Sequence, residues 1–236
     1  FQGCEKLTEL AIDPYNVNFQ TKPFKNCVHL IIRSSYPSIN HFKLSDFGQI
    51  TKISLPSSAT SIENNAFEQC EFLKEVFIPS SIKSIGSYAF YECTNLIKIF
   101  IPSSVTVIGE GAFGSCSALT EVSLSSSVTM IEGFVFCSCS SLASLVIPSS
   151  VSVIGEGAFG QCSALKEILI PDSVTDIFDC AFEGCSSLSA VVIPLSVTDI
   201  GVSAFEGCTS LKEITVPSSL DIEMIGIDPS VKVIKI

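Results

Sequence analysis

The sequence predicts an α/β repeat solenoid of about ten 23-residue coils, with a parallel sheet on one face and short helical or 3₁₀ turns on the other. Three observations carry that prediction. Pro56, Pro79, Pro102, Pro148, Pro171, Pro194 and Pro217 share one 23-residue register, with Ser125 in the vacant place. Phe67, Phe90, Phe113, Phe136, Phe159, Phe182 and Phe205 recur at the same interval. So do Cys70, Cys93, Cys116, Cys139, Cys162, Cys185 and Cys208. A fixed period of this length marks stacked units, none of which can bury its apolar face alone.

Each unit reads P-S-S-V-x-x-I-G-x-x-A-F-x-x-C-S-x-L-x-x-V-x-I. Its last positions carry the L-x-x-L-x-L spacing of leucine-rich repeats, which refines the expected fold to a leucine-rich-repeat solenoid. Within Glu121-Val122-Ser123-Leu124 polar and apolar residues alternate, so Val122 and Leu124 are expected to point inward from a strand and Glu121 and Ser123 outward. Proline directly after the strand removes a ladder donor and ends the pairing. The Ala-Phe-x-x-Cys stretch is too short for an ordinary helix and is expected to form one helical or 3₁₀ turn, with its Phe filling the middle of the coil. Ser58, Ser81, Ser104, Ser127, Ser150, Ser173, Ser196 and Ser219 recur at the third place of the unit. Their hydroxyls are expected to satisfy turn backbone groups of adjacent coils.

The predicted organisation is one solenoid domain over residues 1–236, irregular over 1–55, regular over 56–220, and closed by an atypical coil over 221–236. Phe1-Cys4-Leu7 and Phe24-Cys27-Leu30 sit 23 residues apart. The register then slips between the Tyr36-Pro37 step and Pro56, with Leu44, Phe47, Ile50, Ile53 and Leu55 filling the Phe, Cys and leucine places. Val231 and Val233 are expected to supply a final strand. Phe1 falls in mid-repeat, so the sequence is expected to be a piece of a longer protein.

Composition excludes several function classes. A hydrophobic content of 47% with a mean hydropathy of +0.51 is incompatible with a disordered polymer. No apolar run approaches the ~18 residues of a membrane helix, and no membrane insertion is expected within this stretch. A formal charge of -11 would repel phosphate backbones, so no nucleic-acid partner is expected.

Other motifs resolve into the repeat. Gly109-Glu110-Gly111-Ala112-Phe113-Gly114 and Gly155-Glu156-Gly157-Ala158-Phe159-Gly160 match G-x-G-x-x-G, yet no long helix follows. Sister units drop the second and third glycines, so turn geometry accounts for them and no nucleotide cofactor is expected. Nine of the eleven cysteines, Cys4 and Cys27 included, occupy one slot of the unit, the mark of a buried position. Reduced thiols are favoured over disulfides there, because parallel side chains hold the Cβ atoms slightly too far apart. Cys137-Ser138-Cys139 lacks a zinc spacing, so no metal is expected. His29 and His41 both lie in the irregular coils, Glu110 and Glu156 are expected on solvated turns, and nothing joins a nucleophile, a base and an orienting group. No catalysis is expected.

In a solenoid, function lies in positions that vary while the frame stays fixed. One outward strand column reads Glu75, Lys98, Glu121, Ser144, Glu167, Ala190, Glu213; the other reads Phe77, Phe100, Ser123, Val146, Leu169, Val192, Thr215. The second column is an apolar stripe with an acidic border. Glu75, Phe77, Lys98, Phe100, Glu121, Val146, Glu167, Leu169, Val192 and Glu213 are therefore the candidate protein-binding residues, Phe77 and Phe100 forming the anchor. The competing explanation is strand propensity alone, which also favours Phe, Val and Leu.

The unit Ile101-Pro102-Ser103-Ser104-Val105-Thr106-Val107-Ile108-Gly109, followed by Ala112-Phe113, Cys116 and Leu119, closely resembles the BspA-like, or Treponema pallidum type, class of leucine-rich repeats. The resemblance covers nearly the whole chain and weakens across residues 13–55. Proteins of this class occur on the surfaces of anaerobic bacteria and of protists such as Trichomonas and Entamoeba, and some are adhesins for matrix proteins, fibronectin among them. The resemblance implies a cell-surface or secreted, adhesin-like module that recognises a host or matrix protein. Two alternatives stay open. One is an intracellular, cytoplasmic interaction scaffold, which reduced cysteines and the lack of an Asn-x-Ser/Thr sequon favour; the other is a passive surface spacer.

Overall fold

Strands form where the repeat alternates, and alternation is strictest in the three residues before each proline turn. In the computed structural model, which describes residues 9–12, 28–33, 38–39 and 49–236, these triplets stack in parallel. Glu9–Ile12, His29–Ile32, Lys52–Ser54, Glu75–Phe77, Lys98–Phe100 and Glu121–Ser123 make a six-stranded sheet. A single bridge between Val146 and Leu169 continues the face. Ala190–Val192, Glu213–Val216 and Lys232–Lys235 then form its last three strands. About eight turns of the solenoid run from Lys52 to Lys235.

The V-x-x-I segment of each unit forms a second stack of strands that periodicity did not reveal. Ser38–Ile39, Ser61–Ile62, Ser84–Ile85 and Val107–Ile108 make one four-stranded parallel sheet. Met130–Ile131, Val153–Ile154, Asp176–Ile177 and Asp199–Ile200 make another. Two residues give one alternation step, outward then inward, and the inward isoleucine is buried in every coil.

The expected helical turn does not form; no helix occurs among the described residues. The Ala-Phe-x-x-Cys stretch is a stack of tight turns. In the coil that starts at Pro102, the amides of Ala112, Gly114 and Cys116 donate within the coil to Gly109, Gly111 and Phe113 carbonyls. Those of Gly111, Phe113 and Ser115 donate to Gly133, Val135 and Cys137 of the next coil. This division follows from backbone sign: Gly111 and Ser115 have φ of 59° and 58°, and a residue in the left-handed region breaks a helix. Every other amide then points along the solenoid axis. Equivalent places are held by Asn65, Tyr88, Phe134 and Cys180, so the left-handed conformation is imposed by the stacking and not by glycine alone.

The core is a ladder of phenylalanines. Phe67 through Phe205 are at most 1% exposed, and successive rings stack with centroids 5.2 to 5.8 Å apart, all within 18° of parallel. The alanine before Phe67, Phe90, Phe113, Phe159, Phe182 and Phe205 is also fully buried, and Val135 fills the same place before Phe136.

Two details differ from expectation. The short coil lies earlier than the Tyr36-Pro37 step: Leu10 pairs with Leu30 at a 20-residue offset, whereas Leu30 pairs with Ile53 at 23. Leu30 takes the inward strand place and not the first leucine place of the unit. The serine ladder is interrupted. Ser127, Ser150 and Ser173 donate to Ser103, Val128 and Val151 carbonyls of the preceding coil, while the buried hydroxyls of Ser81, Ser104 and Ser196 have no partner. In the coil without proline, the Ser125 hydroxyl accepts the Ser127 amide at 3.0 Å and closes the turn.

Candidate binding face of the solenoid

Strand pleat decides which side chains face water on the larger sheet. Val76, Ile99, Leu145, Ile168, Val191 and Ile214 point into the core and are at most 8% exposed. Their neighbours point out. Phe77 is 64% exposed, Phe100 51%, Val146 78%, Leu169 76% and Val192 57%. Each lies in the same column, since Ser54 pairs with Phe77, Phe100 with Ser123, Val146 with Leu169, and Val192 with Thr215. The column is thus an apolar strip on a solvent face, interrupted at Ser123.

The charged column runs beside it. Lys52, Glu75, Lys98 and Glu121 are consecutive in register, and Glu213 pairs with Lys232. Its border is not simply acidic. Lys52 Nζ and Lys98 Nζ lie 3.7 and 3.6 Å from the two oxygens of Glu75, and Lys232 Nζ lies 2.8 Å from Glu213. The sequence missed this because Lys52 and Lys232 lie in the irregular coils. Glu121 and Glu167, both exposed, have no ion-pair partner among the described residues. His29 Nε2 lies 3.0 Å from Ser54 Oγ on the open face, a contact between residues 25 apart that only stacking creates.

The cysteine slot is structural. In each of Cys93, Cys116, Cys139, Cys162, Cys185 and Cys208 the thiol donates to the carbonyl of the preceding coil's Phe, at 3.1 to 3.2 Å. That carbonyl already accepts the amide of its own coil's Cys, for example Cys116 on Phe113. The thiol, a small apolar side chain with a weak donor, takes the second lone pair of that carbonyl. All nine described cysteines are unbridged. Cys139 points into the core, while Cys137 stays at the half-buried surface with Sγ 3.7 Å from Ser138 Oγ, so the two thiols of Cys137-Ser138-Cys139 diverge. Burial, with help from the Glu183 hydrogen bond, pushes the Cys180 thiol up to about 11. Among the nine, a maleimide applied to native protein is therefore expected to label Cys137 first and Cys180 more slowly, and the ladder only after unfolding. Peptide mapping checks this; native labelling of Cys139 would contradict the buried ladder.

The glycine motifs are occupied by neighbouring rings. A Cβ on Gly111 would enter the Tyr88 ring, and one on Gly157 the Phe134 ring. Each aromatic lies flat across the next coil. The Tyr88 hydroxyl donates to Glu110 at 2.7 Å, which raises the phenol's pKa and makes Glu110 a paired residue and not an isolated one.

The same coil recurs in known proteins. A leucine-rich repeat protein from Bacteroides ovatus is 27% identical with a TM-score of 0.75, over 96% of this chain and 59% of its own. The T. pallidum leucine rich repeat protein is 29% identical with a TM-score of 0.67, over 86% of this chain and 91% of its own. A leucine-rich repeat protein from Eubacterium ventriosum, 24% identical with a TM-score of 0.51, shares the fold over 90% of this chain and 67% of its own. This chain thus spans 59% of the length of the Bacteroides protein. No curated protein matches it. The family described as BspA type leucine rich repeat region matches residues 1–120, 37–165 and 106–226, and the chain belongs to that family.

Proposed function

We propose that this chain is a non-catalytic protein-binding module of the surface-adhesin kind, recognising a host or matrix protein through the outward strip of its larger sheet. The observation that carries the reading is the strip itself: five apolar side chains, each more than half exposed, in one column. A contiguous apolar surface costs solvation free energy unless a partner covers it. Phe77 and Phe100 serve as anchors, because exposed aromatic rings bring large contact area with few torsions to freeze. Val146, Leu169 and Val192 extend the contact. Glu75, Lys98, Glu121, Glu167 and Glu213 form a charged rim that orients the partner and speeds encounter more than it adds affinity.

Display at the cell surface or secretion fits the adhesin reading. The unbridged cysteines favour the alternative, a cytoplasmic interaction scaffold. Both use the same face. Titrating the purified array against immobilised matrix proteins and whole cells tests the choice. Saturable binding that weakens when salt is raised supports the adhesin; no saturable binding to either moves the preference to the scaffold or to a passive spacer.

A further inference from the structure

The charged and apolar columns are both polarised along the solenoid. Aromatic rings and two of the column's three lysines, Lys52 and Lys98, lie toward the Lys52 end; aliphatic side chains follow from Val146 on, and the glutamates without an ion pair among the described residues, Glu121 and Glu167, flank the middle. We propose that this face pairs with the same face of a second copy of the chain. The two solenoids run antiparallel about a two-fold axis parallel to the strands, lying between the Ser123 and Val146 rows. Such an axis keeps each column opposite itself while reversing the order of rows.

In that register Phe77 meets Val192 and Phe100 meets Leu169 across the interface, while Lys52 meets Glu213 and Lys98 meets Glu167. No two like charges are opposed, since Glu75 meets Ala190 and Glu121 meets Ser144. A slip of one row either way destroys the match. One direction sets Glu75 against Glu167 and Glu121 against its own copy; the other sets Glu75 against Glu213 and Lys52 against Lys232. Repulsion in the neighbouring registers is what specifies this one. Within one chain Lys52 and Lys98 share the single carboxylate of Glu75, which leaves positive charge in excess at that end. Glu167 has no ion-pair partner among the described residues and supplies the complement.

The area sets the strength. The eight rows from Lys52 to Glu213 that this register pairs, at ~4.8 Å, and three residues at ~3.3 Å give about 380 Å² of flat face per copy. That is roughly half the ~800 Å² per partner of a standard stable interface, so the pair is weak and populated at high protein concentration. Twisted sheets pack at about 30° to each other, so the register holds best near the axis, where Phe100–Leu169 and Lys98–Glu167 lie. The inference rests on the reading of the strip as a protein-binding face. It adds that self-pairing occupies the strip, so a partner must displace a second copy.

Sedimentation equilibrium of the chain from roughly micromolar to millimolar concentration tests it. The wild type is expected to self-associate. Lys98→Glu and Glu167→Lys are each expected to weaken association about tenfold or more, and the double variant to restore it, because the swapped charges meet again across the two-fold. A monomer at every concentration, or a double variant no better than the single ones, overturns the proposal. If the chain stays monomeric while Phe77→Ser with Phe100→Ser still abolishes capture of a matrix protein, self-pairing fails and the binding face stands. If that double variant changes neither property, both fail.

Discussion

Replacing Phe136 with alanine is expected to destabilise the solenoid by about 3–5 kcal/mol, the usual loss for emptying a buried aromatic site. Phe136 is fully buried, and its ring stacks between Phe113 at 5.8 Å and Phe159 at 5.7 Å. Each coil touches only its neighbours, so a defect at mid-array also weakens the coupling between the two halves. Urea unfolding should show a lower midpoint and a broadened transition. Phe205, which stacks on Phe182 at 5.3 Å beside the atypical last coil, should lose less when truncated. A loss below about 1 kcal/mol for Phe136→Ala would mean that the coils collapse around the gap, and that the ladder is not the principal source of stability.

Alkaline sensitivity is the second large effect. Burial pushes the Cys116 and Cys162 thiols from an ordinary 9.0 up to about 12, and it raises Cys93 and Cys139 as well. The native state therefore holds these protons while the unfolded chain releases them. Their contribution is fully present below pH 9 and is lost as pH rises from about 9 toward 12. At about pH 10.5 each of Cys116 and Cys162 withdraws about 2 kcal/mol, 1.5 pH units at 1.36 kcal/mol each, or about 4 together. Under reducing conditions the melting temperature should stay nearly flat through neutral pH and fall steeply above about pH 9.5. Cys116→Ala with Cys162→Ala should make that fall shallower. Cys93, Cys139, Cys185 and Cys208, whose thiols burial also raises, would keep the rest of the fall, and an equally steep fall in the double variant would contradict the contribution assigned to Cys116 and Cys162.

The frame was legible because packing imposes it once per coil. Phe, Cys and Leu recur at 23 residues since each fills one site of a stacked core, and the alternation around Val76 and Ile99 correctly told inside from outside. The second strand stack was hidden because Val107–Ile108 and its equivalents offer one alternation step, too little to separate from a loop. The turns were misread as helical for a different reason. The left-handed places are filled by Asn65, Tyr88, Phe134 and Cys180 as well as Gly111 and Gly157, so glycine did not mark them. Those conformations are held by hydrogen bonds to the next coil, which are non-local. Of the candidate face, the apolar column could be read from alternation. The lysine bridges to Glu75 could not be read in full, because Lys52 lies in a coil where the pattern blurs.

The claim that the outward strip binds a protein partner is tested most directly by Phe77→Ser with Phe100→Ser, measured for matrix-protein binding and for thermal melting on the same samples. Both side chains are more than half exposed, so the expected result is loss of binding at a nearly unchanged melting temperature. Binding at wild-type strength in a stably folded double variant would contradict it.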